Sequence, residues 1–251
     1  MRRFFLPLAI VVFTAWSFVA VGFDLEKIRQ GFLVKPFFGD FIRGMWPFNW
    51  DILPDVLSQT LVTIQIAWVG TLVALVIALP LSFAAARNIT PGGAIGLTVR
   101  FFFNVDRSID VLIVALVLVA AVGLGELAGT LAIAAHSVGS MGKLFTEAIE
   151  AVDHGPVEAM EATGATKGQV VRWGVVPQVL PYIVSYFLYR LELNIRSAVV
   201  LGLVGAGGIG FLVADSIKQF QYRDVSMILL VIIVLVMAID AVSAALRKKV
   251  G

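Results

Sequence analysis

A chain of 251 residues that is 59% hydrophobic, 14% charged and of mean hydropathy +0.95 cannot cover itself with a water-facing surface; soluble domains carry about 25% charge, so the natural solvent here is lipid. The absence of cysteine removes disulfides, thiolate metal sites and cysteine nucleophiles, and only His136 and His154 remain for metal or acid–base work. The net charge is +2 with no Lys/Arg cluster interleaved with aromatics, which gives nucleic acid no footprint.

Crossing the hydrocarbon core takes about 20 mainly apolar residues. On that measure six spans are predicted, at about 4–23, 57–86, 105–122, 127–147, 181–212 and 225–246. The first follows Arg2 and Arg3 and exceeds the apolar core of a signal peptide, about 7–15 residues, so it is read as an uncleaved span. The third and fourth share one apolar stretch split at Gly123-Leu124-Gly125-Glu126.

Orientation follows from where the cations fall. With the N-terminus inside, Arg2, Arg3, Arg87, Arg100, Arg107, Lys143, Lys167, Arg172, Arg247, Lys248 and Lys249 are cytoplasmic. Lys27, Arg29, Lys35, Arg43, Lys218 and Arg223 are outside, so both termini are expected in the cytoplasm. The chain divides into 1–56, a span and an outer interfacial loop, and 57–251, a core with a cytoplasmic loop at about 148–180. The outer loop holds Phe37, Phe38, Phe41, Trp46, Phe48 and Trp50; aromatics at this density suit a membrane interface, and a docking surface for an extracytoplasmic partner is the other reading.

In the inner loop, Gly155-Pro156 fits a helix start. Gly164 suits the left-handed residue past a helix end, and Thr166 with Gln169 makes a capping box for a second helix toward Val176. The result is a helix–glycine–helix elbow. The chain has no Gly-x-x-x-x-Gly-Lys-Ser/Thr loop for nucleotide phosphates, so a cytosolic elbow would serve as the handle of a separate ATPase.

Glu158-Ala159-Met160, three residues, Gly164, nine residues and Gly174-Val175-Val176-Pro177 resembles the EAA loop of ABC-importer permeases. That pattern is Glu-Ala-Ala, three residues, Gly, nine residues, Ile, any residue, Leu-Pro; Met160, Gly174 and Val176 depart from it. Ala78–Asn88, His136–Val152 and Glu192–Gly210 are similar to the phosphonate-type permeases called PhnE. Val204–Gly210 is shared in style with methionine-importer permeases. Arg107-Ser108-Ile109-Asp110 departs from the proline-acidic pair expected after Ile.

The resemblance implies an all-α membrane protein of the type I, MetI-like permease fold in the inner membrane. It implies no catalytic residue, no metal and no cofactor in this chain, with ATP and Mg held by two cytoplasmic ATP-binding subunits. Further implied partners are a second permease copy or close paralogue and an extracytoplasmic binding protein, with phosphonate, phosphate or phosphite as cargo. On the same resemblance Glu158, Ala159, Glu161, Gly164 and Pro177 would couple to the ATPase. Two alternatives stand: a proton-coupled secondary transporter using His136, Glu192 and Asp240, and an ABC permease for another small solute such as an amino acid.

Arg190, Glu192 and Arg196 fall inside the fifth span. Charges there are costly unless paired or facing water, and are functional candidates. Glu192 and Arg196 share a helix face four residues apart; Arg190 points elsewhere. They either line a pathway for an oxyanion, which a guanidinium matches bidentately, with Arg196 the preferred pathway residue because Arg190 sits nearer the cytoplasmic end, or form a structural pair. Gly205, Gly207, Gly208 and Gly210 read as close packing or a gate within the same span. His136 is expected to hydrogen-bond another helix, Asp240 to reach a neighbouring helix or the interface, and His154 to be a cap or surface residue.

Overall fold

The computed structural model describes residues 2–30, 39, 42–90 and 93–250, and every regular element among these is helical. Lys35, Phe37, Phe38 and Phe41 of the expected outer loop lie outside the described residues. The chain forms two compact units, 1–47 and 48–251. In the first, α1 (Arg2–Ala20) exposes the apolar side chains Ile10, Phe13, Trp16 and Val19. Gly22, at φ +64°, follows its end. Asp24 then caps the short α2 (Leu25–Arg29) by accepting from the Glu26 N–H at 2.9 Å.

The second unit opens on α3 (Leu53–Ala85), 33 residues with proline in the first turn and no charge after Asp55. One face is small and buried: Thr60, Thr63, Ala67, Gly70, Ala74 and Ala78 recur at three- and four-residue spacing. That face receives α6 (Glu126–Glu150), the helix around which α3, α4 (Ala94–Ser108), α5 (Val111–Val122) and α9 (Val176–Leu203) pack. The approach is close. A Cβ at Gly70 would stand 2.8 Å from Ile133 Cγ2 and 3.0 Å from the Thr130 carbonyl. Lipid supplies no hydrophobic gain between spans, so small residues that admit a neighbouring backbone provide the packing instead.

The structure differs from the expected spans in two places. The third, predicted over 105–122, is broken at Ile109–Asp110. Ile109 is extended, and Asp110 starts α5 by accepting from the Leu112 N–H at 2.8 Å. The preceding α4 is a separate amphipathic helix whose Phe103 is buried against Gly142 of α6. The fifth, predicted over 181–212, starts earlier and stops sooner. Helix α8 (Lys167–Val170) passes through one π turn (Val171–Val175) straight into α9, with Pro177 in its first turn.

Helix α9 then ends at Leu203, because Gly205, Gly207 and Gly208 take φ of +91°, +82° and +74°, a region that L side chains avoid. These glycines therefore form a turn between helices rather than part of a span, and Gly210 lies in the first turn of α10 (Ile209–Lys218). The turn is anchored on both sides: Gly125 N–H donates to the Gly205 carbonyl at 2.9 Å, and Ile209 N–H to Thr63 Oγ1 at 2.8 Å. The last helix, α11 (Tyr222–Val250), packs on α9 and α10.

Among the described residues, α3 and α11 are each long and apolar enough to cross a membrane. Helices α6 and α9 have 25 and 28 residues, about 38 and 42 Å at 1.5 Å per residue.

Candidate functional site

The elbow begins at α7 (His154–Ala162), capped by Asp153, which accepts from the Gly155 N–H at 3.1 Å. The helix thus starts two residues before Pro156, and His154 is its exposed first residue. Gly164 closes it at φ +75°, donating to the Glu161 carbonyl at 2.9 Å. Gln169 Oε1 then accepts from the Thr166 N–H at 2.8 Å, the expected capping box.

Glu158, Ala159 and Glu161 stand exposed on this elbow. With Lys167, Glu158 and Glu161 border a recess of 430 Å³ beneath α7. Gly174, one of the departures from the family pattern, lies where α7 crosses the π turn: a Cβ there would be 3.4 Å from Val157 Cα, ordinary contact distance. The second helix is therefore not a separate limb but the foot of α9.

One residue that sequence reasoning missed fixes the elbow to that foot. Gln178 accepts from the Asp153 N–H at 3.0 Å and donates to the Asp153 carbonyl at 3.2 Å and the Gly174 carbonyl at 2.7 Å. The clamp depends on how Asp153 and the start of α7 lie against α9, 25 residues on in the chain, which no local pattern encodes.

Farther along α9, Asn194 donates to Thr71 Oγ1 at 2.8 Å and Ser137 Oγ at 2.9 Å. Thr71 and Ser137 lie near the midpoints of α3 and α6, so the charges of α9 sit within about a turn of mid-height. Two separate groups form there. Glu192, 8% exposed, accepts from Arg196 at 3.1 Å and from Arg247 at 2.8 Å, and Arg196 also donates to Asp240 at 2.6 Å. The expected Glu192–Arg196 pair is thus present, extended by Asp240 and Arg247 of α11; Asp240 was expected to find a neighbour, Arg247 was not foreseen.

Arg190 belongs to the other group. Its Nε donates to Ser137 Oγ at 3.2 Å, and Asp106 and Tyr189 lie within electrostatic reach. Asp106 is itself held by the Gly139 N–H at 2.7 Å. His136 comes close to the Ile109 backbone at the break between α4 and α5, and its Nδ1 is buried without a partner among the described residues. Ser137 Oγ accepts two bonds, from Arg190 and Asn194, which leaves its proton free to donate. The cluster therefore offers donors from Arg190 and Ser137 beside the Asp106 carboxylate, and it lies between α3, α4, α6 and α9.

Several proteins resemble this one. PtxC, a phosphite transport system permease protein of Stutzerimonas stutzeri, is 47% identical over 74% of this chain and 68% of its own length. PhnE, a phosphate-import permease protein of Mycolicibacterium smegmatis, is 40% identical over 74% of this chain but 35% of its own. In fold, a chain of the inward-facing MetNI methionine ABC transporter matches with a TM-score of 0.69 at 23% identity, covering 81% of this chain and all of that one. These likenesses remove the proton-coupled alternative, and they make the chain a transport component rather than an enzyme. Residues 77–251 match the binding-protein-dependent transport system inner membrane components, and the chain belongs to that family of ABC importer permeases with a MetI-like fold.

Proposed function

We propose that the chain forms, with a second copy or close paralogue, the pathway of an ABC importer for phosphorus oxyanions: phosphite, phosphate or phosphonate. An extracytoplasmic binding protein delivers the anion, and two cytoplasmic subunits that bind ATP and Mg grip the elbow at Glu158, Ala159, Glu161, Gly164 and Pro177. Both termini and the elbow face the cytoplasm, as the distribution of Lys and Arg favours. The observation that carries this reading is continuity. The exposed elbow is clamped by Gln178 to the foot of α9, and α9 carries Arg190, Glu192, Asn194 and Arg196 to mid-height. A displacement imposed on α7 is delivered along one helix to the polar cluster.

Within that pathway Arg190 is the better match to the anion. Arg196 and Glu192 spend their charge on one another, on Asp240 and on Arg247, whereas Arg190 keeps guanidinium donors beside the Ser137 hydroxyl. A guanidinium presents paired donors that fit phosphate-like oxygens, and a single such contact is weak enough to release its cargo. The names of PtxC and PhnE support the same class of cargo.

The test is the ATPase rate of the complete reconstituted complex given its binding protein loaded with phosphite, phosphate, methylphosphonate or methionine. Stimulation by at least one phosphorus anion and none by methionine is expected. Stimulation by methionine alone would overturn the assignment.

A further inference from the structure

Where α3 ends, α4 and the last turns of α6 leave a half-open recess of 230 Å³ that the transport reading does not use. Arg87, Arg100, Asn104 and Lys143 line it with the carboxylates Glu147 and Glu150. Its cations are unequally committed. Arg100 is spent on Glu150 and on the Ala85 carbonyl, to which its Nε donates at 2.8 Å. Lys143 Nζ stands 4.0 Å from Glu147, within ion-pair range but beyond hydrogen bonding. The Arg87 backbone N–H donates to Glu150 at 2.8 Å, yet among the described residues its guanidinium makes no hydrogen bond or ion pair and feels Glu150 only at a distance. Three cations face two carboxylates, which leaves one positive charge with unspent donors.

The level of the recess matters as much as its charge. Helix α3 carries no charge from Leu57 onward, and Arg87 is the first after it. Such a residue marks the edge of the hydrocarbon, where the phosphates of a bilayer lie. Arg87 and Arg100 also border a second recess of 280 Å³ on the α4 side, with Thr90.

We propose that this recess binds a phosphate group, with the Arg87 guanidinium as its principal ligand and Lys143 as the second. Two sources offer that chemistry at this level: the headgroup of an anionic phospholipid and free inorganic phosphate. The fork of Arg87 fits two oxygens of either, and the ammonium of Lys143 supplies a charge on the facing helix. The site stands apart from the Arg190 cluster and does not depend on which anion the pathway carries.

The full chain, purified in neutral detergent and stripped of lipid, tests this with two probes. Phosphatidylglycerol retention is counted by native mass spectrometry, and inorganic phosphate is titrated calorimetrically. At least one probe is expected to bind the wild type. Arg87→Gln and Lys143→Gln should each weaken that binding about fivefold, the worth of one interfacial cation, while Lys218→Gln, a cation elsewhere, binds as wild type. Binding of phosphatidylglycerol alone assigns the site to lipid, and binding of phosphate alone to the soluble anion. The proposal is overturned if the wild type binds neither, or if both recess variants, folded by circular dichroism, bind as the wild type does.

Discussion

Arg190 and Arg196 stand six residues apart on one helix and have different partners: Ser137 for Arg190, Glu192 and Asp240 for Arg196. The i, i+4 spacing made the Glu192–Arg196 pair legible, since it needs only helical geometry. Arg247 was illegible because its pairing with Glu192 depends on how α11 lies against α9, which no local pattern encodes. Glu192→Gln should lower stability by about 1–3 kcal/mol, because it strips a buried acceptor from two guanidiniums that are themselves partly exposed. Thermal unfolding in detergent checks this, and Arg247→Gln added to it should recover part of the loss. Arg190→Gln should leave unfolding nearly unchanged while transport falls; a large drop in melting temperature would make Arg190 a structural residue.

Glu150 gives a pH dependence at the same scale. Partial burial alone would raise its pKa, but the Arg87 N–H and the Arg100 guanidinium outweigh that and hold it below the usual carboxylate range. A depressed folded pKa stabilises the protein above the ordinary value, about 4.3. That contribution is lost as pH falls through the folded value. Between the two, wild type should lose stability with acidification more steeply than Glu150→Gln in a pH series of melting curves.

At the scale of elements, the elbow was legible because its signals are local, a left-handed glycine and a capping box, although its first helix starts two residues before the proline that marked it. The breaks at 109–110 and 204–208 were hidden, since a hydropathy window averages across them. The first had a readable sign, an aspartate directly before the apolar run from Val111, which is a helix N-cap. The second was misread as helical because glycines in apolar surroundings equally suit close packing. The proposed coupling is tested at this scale too. Gln178→Ala removes every side-chain bond from Gln178 to Asp153 and Gly174 and should loosen α7 from α9. ATP hydrolysis by the complex should persist while transport per ATP falls several-fold. Unchanged coupling would show that the clamp transmits nothing. Gly164→Ala should cost about 1 kcal/mol, because φ +75° strains an L side chain.

For the whole molecule, the family and its fold were within reach of the sequence, because spans, charge bias and the elbow motif agree independently. Sidedness is checked by cysteines introduced at Lys27 and Lys167 and labelled with an impermeant reagent. They should react from opposite faces of the membrane, and labelling of both from one face would contradict the orientation. The central proposal is an ATP-driven anion pathway that runs past Arg190. Its most direct test is uptake of radiolabelled phosphite and phosphate into proteoliposomes holding the permease, its ATPase and its binding protein. The predicted result is uptake of at least one of these anions that requires ATP, with Arg190→Gln abolishing it while hydrolysis continues. Uptake driven by a proton gradient without ATP, or undiminished in Arg190→Gln, would contradict it.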